Sequence, residues 1–213
     1  VSWYKVGLQL YAAAGRSAIQ AVADRGKRIF LDLKLHDIPA TVGKAVSALE
    51  GLPVSLLTVH AAGGPAMLRA AAEAAGTLES RPGVLGVTML TSLDGSECPS
   101  LWNPRTDLEE KVLALAGACE EAGLAGVIAS PLELVPLRLE HEPPFLIVTP
   151  GIRGPGDQAG DQKRTLSLSE AFQRGADFVV VGRPILEARD PRAVLAAYEA
   201  TLPSQLSSER TGS

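Results

Sequence analysis

Asp32, Lys34 and Asp37 stand close together in the run Phe30-Leu-Asp-Leu-Lys-Leu-His-Asp-Ile-Pro-Ala-Thr41, and Lys5 lies in a short run ahead of it, Trp3 to Val6. Ile29, Leu31, Leu33 and Leu35 alternate with Phe30, Asp32 and Lys34, which reads as a buried strand whose side chains two apart point the same way. Asp32 and Lys34 then share one face and the leucines the other. A parallel neighbouring strand sets Lys5 close to both. Two ammonium groups and two carboxylates in one dry pocket form an alternating network. Each pair at about 4 Å interacts by roughly 4 kcal/mol at an effective dielectric near 20. A lysine flanked by carboxylates keeps its proton where little water reaches it, and can deliver that proton to a carbanion. A plain salt-bridge network is the competing reading, and Asp37 could instead cap the helix that Pro39 opens.

A second set suits an anion. Thr149 to Arg164 holds four glycines and two prolines, too broken for regular structure, and Gly182-Arg183 directly follows the apolar run Phe178 to Val181. Glycines let backbone N–H groups approach an anion closely, and a guanidinium grips two phosphate oxygens at once. Arg183 therefore reads as a phosphate grip, or else as a solvated surface arginine; Arg153 and Gln162 are weaker candidates. The glycine-rich loop could also close over a ligand as a lid. Thr91 and Ser92 follow a strand and offer hydroxyls to a flat heterocycle, although a satisfied strand-end threonine fits equally well. His60 ends a strand and reads as a packing or supporting histidine. The direction of His36 is open.

These residues need a frame that brings strand ends together. Short β-branched runs alternate with helical stretches throughout, the pattern of an α/β protein with a parallel sheet. The expected strands are Trp3–Val6, Ile29–Leu35, Leu56–Val59, Val84–Met89, Gly126–Ala129, Phe145–Val148 and Phe178–Val181. Expected helices run from Ser17 to Arg25, from Pro39 with Val42, Ala45, Val46 and Leu49 at helical spacing, and from Pro65 to Ala75. Further helices run from a Thr106/Glu109 capping box to about Ala122, near Leu132 to Leu139, from a Ser167/Glu170 capping box to Gly175, and over Pro191 to Leu202. A polar loop fills Asp94 to Pro104. Seven strand–helix units recur, and their natural closed form is the eight-stranded TIM (β/α)8 barrel, whose reactive groups sit at the carboxyl ends of the strands. One unit is missing from the count, so the first strand is expected to be absent from this chain. Residues 1–202 are expected to form a single barrel domain and residues 203–213 a polar, disordered tail.

At 213 residues the chain suits one domain with a substantial core. It is 46% hydrophobic with a net charge of −4, and without a basic cluster a nucleic-acid surface is not expected. Cys98 and Cys119 are too few for a disulfide framework and lack metal-ligand spacing. No apolar run reaches membrane-spanning length and no signal peptide is read ahead of Val1, so a reduced cytoplasmic setting is expected.

Taken together, Tyr4-Lys-Val-Gly7, Asp32-Leu-Lys-Leu-His-Asp-Ile-Pro39, Leu90-Thr-Ser92, Pro150-Gly-Ile-Arg153, Gly160-Asp-Gln162 and Val181-Gly-Arg-Pro184 strongly resemble the orotidine 5′-phosphate decarboxylase family over about Tyr4 to Pro191. The resemblance implies a loss of CO2 from C6 of orotidine 5′-phosphate to give UMP, with no cofactor and no metal. By that likeness Asp32 crowds the substrate carboxylate, Lys34 protonates the C6 carbanion, and Lys5 supports the network and hydrogen-bonds the ribose. Asp37, with Thr41, would reach into a partner's site in a homodimer with shared active sites, and Ile38 would contact the substrate. Thr91 and Ser92 would contact the base, and Arg153, Gln162, Gly182 and Arg183 the 5′-phosphate.

Two other functions use the same residues. Mg-dependent sugar-phosphate decarboxylases and aldol-type synthases share the Asp-x-Lys-x-x-Asp spacing but place an acidic metal ligand where this chain has Lys5. A catalytically silent UMP-binding protein would keep the nucleotide grip without turnover.

Overall fold

The computed structural model describes residues 1–93, 107–154 and 166–202, and the chain divides into two compact units. The first contains Val1–Thr88, Lys111–Ile128 and Pro143–Leu146; the second contains Met89–Glu110, Ala129–Glu142 and Ile147–Ser213. Among the described residues the main sheet has seven strands, and the pairings among its first five and between its last two are parallel. That matches the seven strand–helix units expected.

In the first unit, β1 (Trp3–Gly7), β2 (Arg28–Leu35), β3 (Val54–His60), β4 (Gly83–Val87) and β5 (Gly126–Ile128) follow one another. Ile29, Phe30 and Leu31 are all buried, whereas Leu33 and Leu35 are only half-buried. The alternation expected of β2 is therefore corrected: its first half is covered on both faces, as parallel strands beneath helices usually are. A helix that the sequence reading passed over, α1 (Leu8–Ala14), follows β1 at once. Its Leu, Gln and Ala residues are good helix formers, and Gly15 stops it with φ 54° before α2 (Arg16–Ala23) begins.

Pro39 opens α3 (Pro39–Ser47), whose Val42 and Val46 are buried, and α4 (Gly64–Thr77) packs against it. Its buried stripe of Met67, Leu68, Ala71 and Ala75 keeps the spacing of one helical face. Helix α5 (Leu108–Glu121) is capped by Asp107, whose carboxylate accepts the Glu109 and Glu110 amides; Thr106 and the loop from Asp94 to Pro104 lie outside the described residues. Cys119 of α5 seats against β4, where a Cβ on Gly86 would lie 2.2 Å from its sulfur. Burial there pushes the Cys119 thiol up to about 12.

In the second unit, α6 (Leu134–Glu140) follows a short turn of helix at Pro131–Glu133, and β6 (Leu146–Thr149) pairs with β9 (Phe178–Val179). A two-stranded ribbon joins β7 (Ile152–Arg153) to β8 (Leu166–Ser167). The Ser167/Glu170 capping box forms as expected and starts α7 (Leu168–Gln173). Strand β9 is shorter than Phe178–Val181, although the Val180 amide still donates to the Thr149 carbonyl at 2.8 Å, and a short helix, α8 (Arg183–Leu186), follows. The last helix, α9 (Pro191–Glu199), is capped by Asp190 and ends before Leu202. Residues 203–213 lie outside the described residues. Among the described residues no helix is long and apolar enough to cross a membrane.

Candidate active site

Two adjacent strands of the first unit, β1 and β2, bring a carboxylate and two ammonium groups together. The β1–β2 register sets Gly7 opposite Asp32 and Lys5 opposite Phe30. Lys5 reaches forward along its strand to bring Nζ within 3.4 Å of Asp32 Oδ2. On the other side, Lys34 Nζ donates to Asp32 Oδ1 at 2.7 Å. One carboxylate therefore carries a different lysine on each oxygen.

The path of β2 makes this possible. Leu31 pairs with Leu57 and Leu35 with Val59, so β2 takes four residue steps while β3 takes two. The surplus is absorbed around Lys34, whose φ of 51° lies in the left-handed region, uncommon for a residue with a Cβ. Asp32 and Lys34 meet as expected, but through an irregularity rather than through a regular pleat.

Thr58 completes the cluster, and the sequence reading missed it. Its hydroxyl donates to Asp32 Oδ1 at 3.0 Å and accepts the Lys34 backbone N–H at 2.8 Å. The available signal was a hydroxyl set between Leu57 and Val59 in the apolar middle of its strand. Burial pushes the Asp32 carboxyl up and is the largest single influence on it. The hydrogen bond and charge of Lys34, the charge of Lys5 and the Thr58 hydroxyl together outweigh burial and hold it below the usual 3.8. Asp32 is thus an anion at neutral pH.

The expectation of a dry four-membered pocket needs correcting in two respects. The Lys34 and Lys5 side chains are 28% and 35% exposed, so water reaches both ammonium groups in this chain. Asp37 is exposed and forms no ion pair among the described residues; its Oδ1 accepts the Ile38 amide at 2.7 Å. It does not cap α3 either, since Ile38 occupies that position without a side-chain hydrogen bond. Ile38 is 66% exposed and Thr41 is also exposed. The open question of His36 is answered: its ring faces that of His60, with centroids 5.2 Å apart. Burial, followed by the charges of His36 and Lys34, lowers the His60 pKa against an opposing pull from Asp32.

The remaining candidates belong to the second unit. Thr91 is half-buried and Ser92 exposed, in a turn closed by the Leu93 amide on the Leu90 carbonyl. Arg153 ends β7 with its backbone paired to Ser167; Gln162 lies outside the described residues. Gly182 precedes α8, and its carbonyl accepts the amides of Ile185 and Leu186. Arg183 is the first residue of that helix and is exposed. A Cβ on Gly154 would lie 2.6 Å from the Tyr198 ring, so bare backbone is needed there for packing.

The family model for orotidine 5′-phosphate decarboxylase / HUMPS matches residues 1–198. Orotidine 5′-phosphate decarboxylase of Moorella thermoacetica is 46% identical over 204 residues, covering 93% of this chain and 81% of its own length. The Streptococcus pneumoniae serotype 19F protein of the same description is 43% identical, covering 93% and 82%. Among solved structures, orotidine 5′-phosphate decarboxylase from Lactobacillus acidophilus superposes with a TM-score of 0.79 at 40% identity, covering 92% of this chain and 84% of that one. The enzyme from Pyrococcus horikoshii gives 0.72 at 26% identity, covering 93% and 86%.

Proposed function

Because this chain belongs to the orotidine 5′-phosphate decarboxylase / HUMPS family, we propose that it converts orotidine 5′-phosphate to UMP and CO2, with Lys34 as the proton donor. The fold class is α/β, of the TIM-barrel type. The observation that carries the reading is the double loading of Asp32 by Lys34 and Lys5.

The bond between C6 and the carboxyl carbon breaks, CO2 leaves, and the electron pair stays on C6. Asp32, held anionic, sits beside the departing carboxylate and disfavours the bound reactant through like charge. That repulsion fades as charge moves from the carboxylate onto C6, while the attraction of the Lys34 ammonium grows, so the pair favours the transition state over the bound substrate. Lys34 Nζ then gives its proton to C6, forming the C6–H bond of UMP. The remaining amine recovers a proton from water, to which its side chain is partly open. The reaction needs no cofactor, because the redistribution of charge is handled by side chains alone.

Lys5 steadies Asp32 and is assigned to the ribose. Thr91 and Ser92 are assigned to the base, and Arg153, Gln162, Gly182 and Arg183 to the 5′-phosphate. Asp37, Ile38 and Thr41 are assigned to the site of a second copy in a homodimer; their exposure, with Ile38 presenting an apolar side chain, supports this. The protein is assigned to the cytoplasm, in keeping with Cys119 as a buried free thiol.

The Lys5 ammonium on Asp32 argues against the magnesium-dependent reading, since a metal on that carboxylate would face a positive neighbour. The test is to add orotidine 5′-phosphate and follow CO2 release and the fall in substrate absorbance, with Mg2+ or with EDTA. Equal turnover in both is expected. Turnover that vanishes in EDTA would favour the metal-dependent relatives, and binding of UMP without CO2 release would leave a silent nucleotide-binding protein.

A further inference from the structure

Thr58 is wholly buried on β3 and has one hydroxyl proton to give. Its oxygen accepts the Lys34 amide at 2.8 Å, and its proton goes to Asp32 Oδ1 at 3.0 Å. The hydroxyl therefore ties the backbone of one reacting residue to the carboxylate of the other. The tie falls where β2 carries its surplus residues and Lys34 adopts a left-handed backbone. Without it, the Lys34 amide at that irregularity loses its partner, and the conformation that turns the side chain back onto Asp32 loses its anchor.

We propose that Thr58 is a positioning residue for the proton transfer, holding Lys34 in the backbone conformation that points its ammonium at Asp32. The kinetic side of this inference rests on the decarboxylase reading; the anchoring itself does not.

The test compares the wild type with Thr58→Val, which keeps the shape and removes the hydroxyl, and with Thr58→Ser, which keeps the hydroxyl. Amide hydrogen exchange at Lys34 is read by NMR in all three, alongside kcat and KM for orotidine 5′-phosphate and the affinity for UMP. In Thr58→Val the Lys34 amide should lose its protection. Its kcat should fall by about ten- to a hundredfold, the loss of hydrogen bonding to a charged group, with UMP affinity held within about threefold. Thr58→Ser should restore both protection and kcat to within about threefold of the wild type. An unchanged kcat in Thr58→Val, or equal losses in both variants, would overturn the proposal. So would a wild-type Lys34 amide that exchanges as freely as an unprotected one, a result that decides the matter even if Thr58→Val does not fold. A wild type that releases no CO2 defeats the decarboxylase reading instead, and the exchange at Lys34 still judges the anchor.

Discussion

The ammonium of Lys5 occupies the space into which a side chain on Gly7 would grow: a Cβ there would lie 2.6 Å from Nζ. Gly7 sits opposite Asp32 in the β1–β2 register, so the missing side chain leaves room for the lysine to reach the carboxylate. Because the obstructed group is the end of a flexible chain, Gly7→Ala should fold and displace only the ammonium. Its kcat/KM for orotidine 5′-phosphate should fall by about ten- to a hundredfold, the scale of a misplaced reacting group, with little change in thermal stability. Steady-state kinetics beside a melting curve checks both.

Lys34→Ala removes the proposed proton donor. Turnover should drop by roughly ten-thousandfold or below detection, while UMP binding, measured by calorimetry, stays measurable. Substantial residual decarboxylation would take the role from Lys34.

Arg183→Ala should separate phosphate binding from the chemistry. Its kcat/KM for orotidine 5′-phosphate is expected to fall by roughly a hundredfold or more, and far less for orotidine, which lacks the phosphate. Equal losses on both substrates would remove Arg183 from the phosphate.

Two groups of the site contribute to stability on the acid side. His60 is depressed below 6.5 in the folded chain, first by burial and then by His36 and Lys34, with Asp32 opposing. The unfolded chain therefore binds the proton more readily, and the stability that neutral His60 contributes is present above pH 6.5 and lost as pH falls below it. Asp32 is depressed below 3.8, so its contribution persists to lower pH and goes only as pH falls below that value. Urea midpoints measured across this range should decline first below pH 6.5 and again below 3.8. His60→Gln should remove the first decline and spare the second.

Gly126→Ala tests the packing of β5. A Cβ there would lie 2.1 Å from the Leu146 carbonyl oxygen, and backbone cannot yield as a flexible side chain does. A loss of about 3 kcal/mol is expected in chemical denaturation.

The parallel strand–helix pattern was legible because buried strands are short apolar runs with clear punctuation, and the Ser167/Glu170 box formed as written. Lys5, Asp32 and Lys34 could be grouped because they lie on neighbouring strands. The irregularity at Lys34 was not legible, since nothing in Leu-Lys-Leu marks a residue that will take a positive φ. Thr58 was hidden for a related reason: its importance comes from register with a different strand, and a single threonine among aliphatic residues carries no periodic signal. Within this chain Asp37 stands apart from Asp32 because it lies exposed in the turn after β2, whereas spacing alone treats the run as one continuous direction.

The surplus of residues in β2 has a consequence for anyone wishing to transplant this chemistry. Copying the letters Asp-x-Lys into the strand of another scaffold would deliver a flat ribbon without the kink that folds the ammonium back. The adjoining strand's hydroxyl and the two extra steps must travel with the motif, so the smallest portable unit is a matched pair of strands rather than a tripeptide.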